Sequence, residues 1–163
     1  MSAAERTLIL GLGNPLLRDD AVGLLAARRV AELSGDVRLA EACGATVDLL
    51  PIITGYDRVV VLDAYVSPGH PPGTPLRSAP DEHPCGFGYR SFHTFPFDEM
   101  LALGRALGMA MPREVVLHGL SVADPFTFGV GLSPTVAAAW RDWAADVARR
   151  EFGAVPSEVQ RPA

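Results

Sequence analysis

The segment from Leu8 to Gly23, LILGLGNPLLRDDAVG, constrains the fold more than any other stretch of the chain. Leu8, Ile9 and Leu10 form an apolar run too short for a helix and suited to a strand buried on both faces. Gly11 and Gly13 then allow a tight turn and a close backbone approach, and Asn14-Pro15 extends that turn. Asp19 or Asp20 stands where a carboxylate can cap the next helix by accepting its orphan amide protons. Strand, glycine turn, polar loop and helix start therefore follow in order, with two acids at the carboxyl end of a first strand. Open α/β folds bind their ligands at that edge.

The rest of the chain continues the alternation. From Asp20 to Ser34, Val22, Leu25, Ala26, Val30 and Leu33 make a helical stripe, which Ser34-Gly35-Asp36 ends. Val37, Leu39 and Cys43 mark a second strand, and Thr46 to Ile53 a short helix that Pro51 should kink or shorten. RVVVLD, Arg58 to Asp63, is the clearest strand, a run of branched apolar residues closed by an acid. After a GHPPG loop, Thr74 to Arg77 reads as an edge strand, antiparallel if its connection is short, and Ser78 to Arg90 as irregular. Pro96 to Gly108 predicts a third helix with Leu101, Leu103, Ala106 and Leu107 turned inward. Glu114 to Leu120 is another strand, and Ala123 to Leu132 a loop holding two Phe and two Gly. Ser133 caps a last helix with Pro134 at its first position and a stripe of Val136, Trp140, Trp143, Ala144 and Val147. The expected architecture is an α/β three-layer sandwich with a mostly parallel twisted central sheet of about five strands flanked by helices. Residues 1–152 make one domain in this reading, and residues 153–163 a frayed tail.

Composition narrows the function classes. A 163-residue chain with 48% hydrophobic residues can build one proper core. Its net charge of -5 gives no basic footprint for nucleic acid. No apolar stretch reaches the roughly 18 residues that cross a bilayer, and MSAAERT lacks the basic and apolar regions of a secretory signal. A cytoplasmic protein without nucleic-acid or membrane partners is expected, its oligomeric state open and a monomer sufficient. Cys43 and Cys85 form neither a CxxC pair nor a disulfide framework.

Chemistry is to be sought among the acids. Asp63 closes its strand as Asp19 and Asp20 follow theirs, so a parallel sheet brings two or three carboxylates to one edge. Converging carboxylates repel unless a proton or a cation lies between them. The same acids would also serve as plain helix or loop caps. His93, in SFHTFP ahead of the third helix, is the histidine that a loop can carry to this edge. One imidazole with two carboxylates suits nickel, zinc or iron and leaves positions for substrate. His83 and Cys85, in DEHPCG, match no standard metal spacing. His70 reads as exposed in a Pro/Gly loop, and His118 as a satisfied core histidine. There is no GxSxG elbow and no helix-start cysteine to act as nucleophile. Leu16 replaces the third glycine of a dinucleotide fingerprint, although Glu41 stands at a suitable distance for a ribose contact. A nucleotide-binding domain is thus a weaker alternative.

GLGNPLLRDDAVG, then VVLDAYVS, SFHTFP and GLSPTV, in that order from Leu8 to about Arg150, resembles the hydrogenase maturation proteases. The specific part is the GxGNxxxxDxxxG opening, filled by Gly11, Gly13, Asn14, Asp19 and Gly23. The resemblance implies an endopeptidase that removes a C-terminal extension from a nickel-iron hydrogenase large-subunit precursor after nickel insertion. It further implies that nickel, supplied by the precursor, is the recognition element, and that Asp20, Asp63 and His93 are its metal-contacting and catalytic residues. The chain departs from the family at EACGAT, Glu41 to Thr46, where relatives carry a glycine-rich DGGT-like segment. That change bears on the loop that meets the substrate peptide. A non-proteolytic nickel- or precursor-binding escort is the rival from another class, and a different peptidase of the same sandwich fold with a self-contained site the rival within enzymes.

Overall fold

The computed structural model describes residues 5–43, 47–80 and 97–154. Two apolar runs form the middle of its sheet. β1 (Thr7–Leu12) and β3 (Arg58–Tyr65) lie side by side in parallel, Leu8 opposite Val59 and Leu10 opposite Val61. All the apolar residues of both runs are buried, as strands covered on two faces require. From β1 the chain passes through α1 (Val22–Ser34) to β2 (Arg38–Ala42), which pairs parallel to β1 at one edge. It returns through α2 (Leu50–Ile53) to β3 on the other side of β1. β4 (Pro75–Ser78), α3 (Phe97–Ala106), β5 (Glu114–Ser121) and α4 (Pro134–Phe152) complete the order. The five strands run β2-β1-β3-β5-β4, with only β4 antiparallel. Because the chain leaves β1 in one direction and resumes at β3 in the other, a crevice opens between their carboxyl ends.

The two faces of the sheet each hold a core. Leu8, Leu10, Val59, Val61, Val115 and Leu117 pack with Ile53 of α2 and with Phe97, Met100 and Leu101 of α3. Ile9, Val60, Leu62 and Leu120 pack with Val22, Ala26 and Val30 of α1 and with Val136, Trp143 and Val147 of α4. This is the expected three-layer α/β sandwich, including the antiparallel edge strand.

Several details differ from the sequence reading. Helix α1 is preceded by a 3-10 turn over Arg18–Ala21, so the α-helix begins at Val22 and buries Leu24 and Ala27 instead of Leu25 and Leu33. Strand β3 runs two residues past Asp63, because Ala64 and Tyr65 continue the ladder opposite Leu120 and Ser121. The helix expected over Thr46 to Ile53 is shorter: a 3-10 turn covers Val47–Leu49 and the α-helix only Leu50–Ile53, with Pro51 in its first turn, where its missing N–H is no loss. Of the four residues expected to face inward on α3, only Leu101 is buried, with Phe97, Met100 and Gly104 filling that face. Gly104 is pressed against Met111 and Leu50, and the register this contact sets leaves Leu103 and Leu107 exposed. Ser133 holds the N-cap position of α4 but makes no side-chain cap bond. Trp140 is half-buried, with the Arg141 guanidinium 4.5 Å over its ring. Most of the Ser78 to Arg90 stretch and of the expected tail lies outside the described residues. Among the described residues no helix is long and apolar enough to cross a membrane.

Candidate active site at the carboxyl edge

The opening motif folds as it does because nearly every fixed letter meets a geometric demand. Gly13 has φ +145, and a Cβ there would fall 2.0 Å from the Asp20 carbonyl oxygen. No L-residue side chain fits that contact. Gly23 lets the start of α1 press between β1 and β3, since a Cβ would meet the Leu12 and Leu62 carbonyl oxygens at 2.2 and 2.6 Å and Asp63 Cα at 2.9 Å. Asn14 closes the turn locally, its Oδ1 accepting from the Leu16 N–H at 2.9 Å and its carbonyl from the Leu17 N–H at 3.1 Å.

The two acids then part. Asp19 is fully buried. Its carboxylate accepts the backbone N–H groups of Ala123 (3.2 Å), Asp124 (2.9 Å) and Ser133 (2.6 Å), and the Ser133 hydroxyl at 2.8 Å. It ties the loop after β5 and the start of α4 to the opening motif. Neither Asp19 nor Asp20 caps the turn or helix that follows it, which corrects the capping expectation. The Ser133 hydroxyl donates to Asp19 and makes no cap bond to its own helix.

Asp20 is half-buried, and its Oδ2 accepts the Asn14 N–H at 2.7 Å. Asp63 lies across the crevice on β3. Burial pushes the Asp63 carboxyl up to about 8, the nearby charge of Asp20 adds to that rise, and the Ala64 N–H donated at 2.8 Å opposes it. At neutral pH a group so placed holds a proton beside a second carboxyl unless a cation replaces the proton. The two sequence-predicted acids are therefore neighbours at the switch point. His93 lies outside the described residues, as do His83, Cys85 and the Gly44 to Thr46 part of the EACGAT segment.

Other candidates resolve into structural parts. His118 is buried, its Nε2 2.8 Å from Glu151 Oε1. His70 is half-buried, not simply exposed: its Nδ1 is 3.2 Å from Ser67 Oγ, its ring stands edge-on to Tyr65, and its carbonyl accepts the Ser121 hydroxyl at 2.8 Å. Glu41, the residue that kept a ribose contact open, is held in a two-pronged pair by Arg28 at 2.5 and 2.9 Å. Cys43 carries an exposed thiol. The sequence reading missed the platform from Ala123 to Ser133, which joins the motif through Leu17 pairing with Phe128 and Gly129. Its signal was present in FTFGVG, where Phe126, Phe128 and Val130 alternate with Thr127, Gly129 and Gly131 at the period of a strand.

Comparison with known proteins points to one family. The sequence model of the hydrogenase maturation protease family matches residues 24–150. The hydrogenase expression/formation protein HupD of Rhodobacter capsulatus is 32% identical over 164 residues, covering 98% of this chain and 77% of the relative. The solved hydrogenase maturating endopeptidase HybD from E. coli superposes with a TM-score of 0.72 at 30% identity, covering 91% of this chain and 94% of its own. The [NiFe] hydrogenase maturation protease HybD from Thermococcus kodakarensis gives 0.63 at 25% identity, covering 90% and 99%. With the opening motif, the fold and these relatives in agreement, the chain belongs to the hydrogenase maturation protease family and is an endopeptidase, a hydrolase of peptide bonds.

Proposed function

We propose that this protease removes the C-terminal extension of a nickel-iron hydrogenase large-subunit precursor after nickel insertion, and that Asp20, Asp63 and His93 contact the nickel the precursor carries. The observation that carries this reading is the pairing of Asp20 with Asp63, whose carboxyl sits at about 8. Two acids in that state gain from a cation between them. The relatives support the substrate class, since the Thermococcus protein is a [NiFe] hydrogenase maturation protease. In this mechanism the nickel is part of the substrate, held by precursor thiolates, and the protease completes its surroundings. Docking through the metal fixes the scissile bond in the crevice, where proximity lowers the barrier. A metal or a carboxylate then polarises the carbonyl or activates water.

The test is the intact mass of a cognate precursor after incubation, with and without nickel loaded. Loss of a C-terminal fragment only from the nickel-loaded sample is expected. Cleavage of both samples at equal rates would overturn the metal-recognition role. Asp20→Asn, Asp63→Asn and His93→Ala should each slow processing by roughly 10²-fold or more while circular dichroism stays wild-type. Full activity of the His93 variant would remove that residue from the site.

A further inference from the structure

Eight large apolar side chains are well exposed among the described residues, and half of them fall on two segments that the backbone joins. Leu16 is 60% exposed, Phe126 51%, Phe128 80% and Val130 87%, whereas the other four are scattered over β2, the turn at Val47 and the α3 region. The joint is firm. Leu17 pairs with Phe128 and Gly129, the Gly129 N–H donates to the Leu16 carbonyl at 2.9 Å, and the Arg18 N–H to the Gly129 carbonyl at 3.1 Å. Asp124 braces the loop from within, accepting the Thr127 N–H at 3.1 Å and lying 3.5 Å from Arg18 Nη1. Backbone held this way keeps its Phe and Val side chains outward at an uncompensated hydration cost, which a partner surface would remove.

The position of the patch selects its occupant. Leu17 accepts the Asp20 N–H at 2.8 Å, so the patch and the Asp20 carboxylate belong to one bonded unit at the carboxyl edge. A folded protein that offers a segment to Asp20 therefore comes up beside this surface. The flanking charges Arg18 and Asp124 are paired with each other, so the surface suits an apolar partner face. We infer that Leu16, Phe126, Phe128 and Val130 are the seat for an apolar patch on the folded body of the large-subunit precursor, beside its C-terminal extension. The inference rests on the proposed function and adds the surface that delivers the substrate.

The experiment is steady-state processing of nickel-loaded precursor by the wild type, by Phe128→Ser/Val130→Ser, and by Phe128→Leu. The double variant should raise KM at least 10-fold with kcat within twofold, the mark of lost binding that is uniform along the reaction. Phe128→Leu should restore most of the affinity. Leu107→Ser, a change to a 65% exposed residue next to α3, should alter nothing. An unchanged KM in the double variant, with wild-type cleavage intact, overturns the seat and leaves the proposed function standing. Failure of the wild type to cleave overturns the proposed function itself. A wild-type dimer in sedimentation that the double variant dissolves would give the patch to a second copy and also overturn the inference.

Discussion

Asp19 and Asp20 are adjacent in sequence and differ in what surrounds them. Asp19 is sealed in and satisfied by four donors, while Asp20 faces the crevice and accepts the Asn14 N–H. Removing Asp19 unpairs those four donors, at a cost of about 1–3 kcal/mol for each that water does not reach. Asp19→Ala should therefore lose about 4 kcal/mol, or roughly 8–16 °C in Tm for a domain of this size. Asp20→Asn should melt within a few degrees of wild type and lose processing. Calorimetry beside the processing assay separates the two, and equal melting losses would refute the division. The division was not legible in the sequence, because the partners of Asp19 lie 104 to 114 positions away and no local pattern contains them. That both acids gather at a strand end was legible. Asp63 adds a pH signature. Its folded value, about 8, lies above its ordinary value of 3.8, so the folded state is the better proton binder and stability drains away as pH rises from about 4 to 8. Asn cannot ionise. Asp63→Asn should match wild type near pH 4 and exceed it by about 5 kcal/mol above pH 8, roughly 10–20 °C in Tm. A difference that does not change with pH would show that the carboxyl titrates normally.

At the scale of elements, α4 is tied to three strands by one side chain. Glu151, near its end, is buried among Arg58 of β3, Arg77 of β4 and His118 of β5, and pairs with all three. Burial alone would raise the Glu151 carboxyl, but the bonds from Arg77, His118 and Arg58 together outweigh it and hold the group at about 2. Burial pushes the His118 imidazole down against the pull of Glu151, so the neutral ring donates its Nε2–H to the carboxylate. A depressed carboxyl stabilises the fold above its ordinary value of 4.5 and ceases to as pH falls through about 2. Glu151→Gln should cost about 3 kcal/mol at neutral pH, and the gap from wild type should close between pH 4.5 and 2 in acid titrations followed by circular dichroism. A gap that persists at pH 2 would assign the loss to packing. The helices and strands themselves were legible because their apolar runs and stripes are local. What the stripes could not give was register on short elements. On α3 the contact of Gly104 with Met111 and Leu50 decides which side faces in, and that contact is tertiary.

Across the whole molecule, the cluster around Glu151 runs from Arg58 and Glu114 at the amino ends of β3 and β5 to His118 midway along β5, and the Asp20–Asp63 crevice lies at the carboxyl edge. The sheet between them has its most buried strands, β1, β3 and β5, at its centre, and the platform from Ala123 to Ser133 meets the opening motif through Asp19 and the Leu17 pairing. The bonds that hold the platform are not those that hold the strands, so the carboxyl edge is expected to open without melting the core. Native-state hydrogen exchange tests this directly. In the wild type the amides of β1, β3 and β5 should exchange slowest, through global unfolding, and β2 and β4 faster as edge strands. In Asp19→Ala, the amides of Ala123, Asp124 and Ser133 should lose protection beyond the drop in global stability, through a local opening. The β3 and β5 amides should slow or quicken only in step with global stability. If the platform and the central strands instead lose protection by the same factor, they form one cooperative unit, and the edge cannot open to admit a precursor unless the whole fold does.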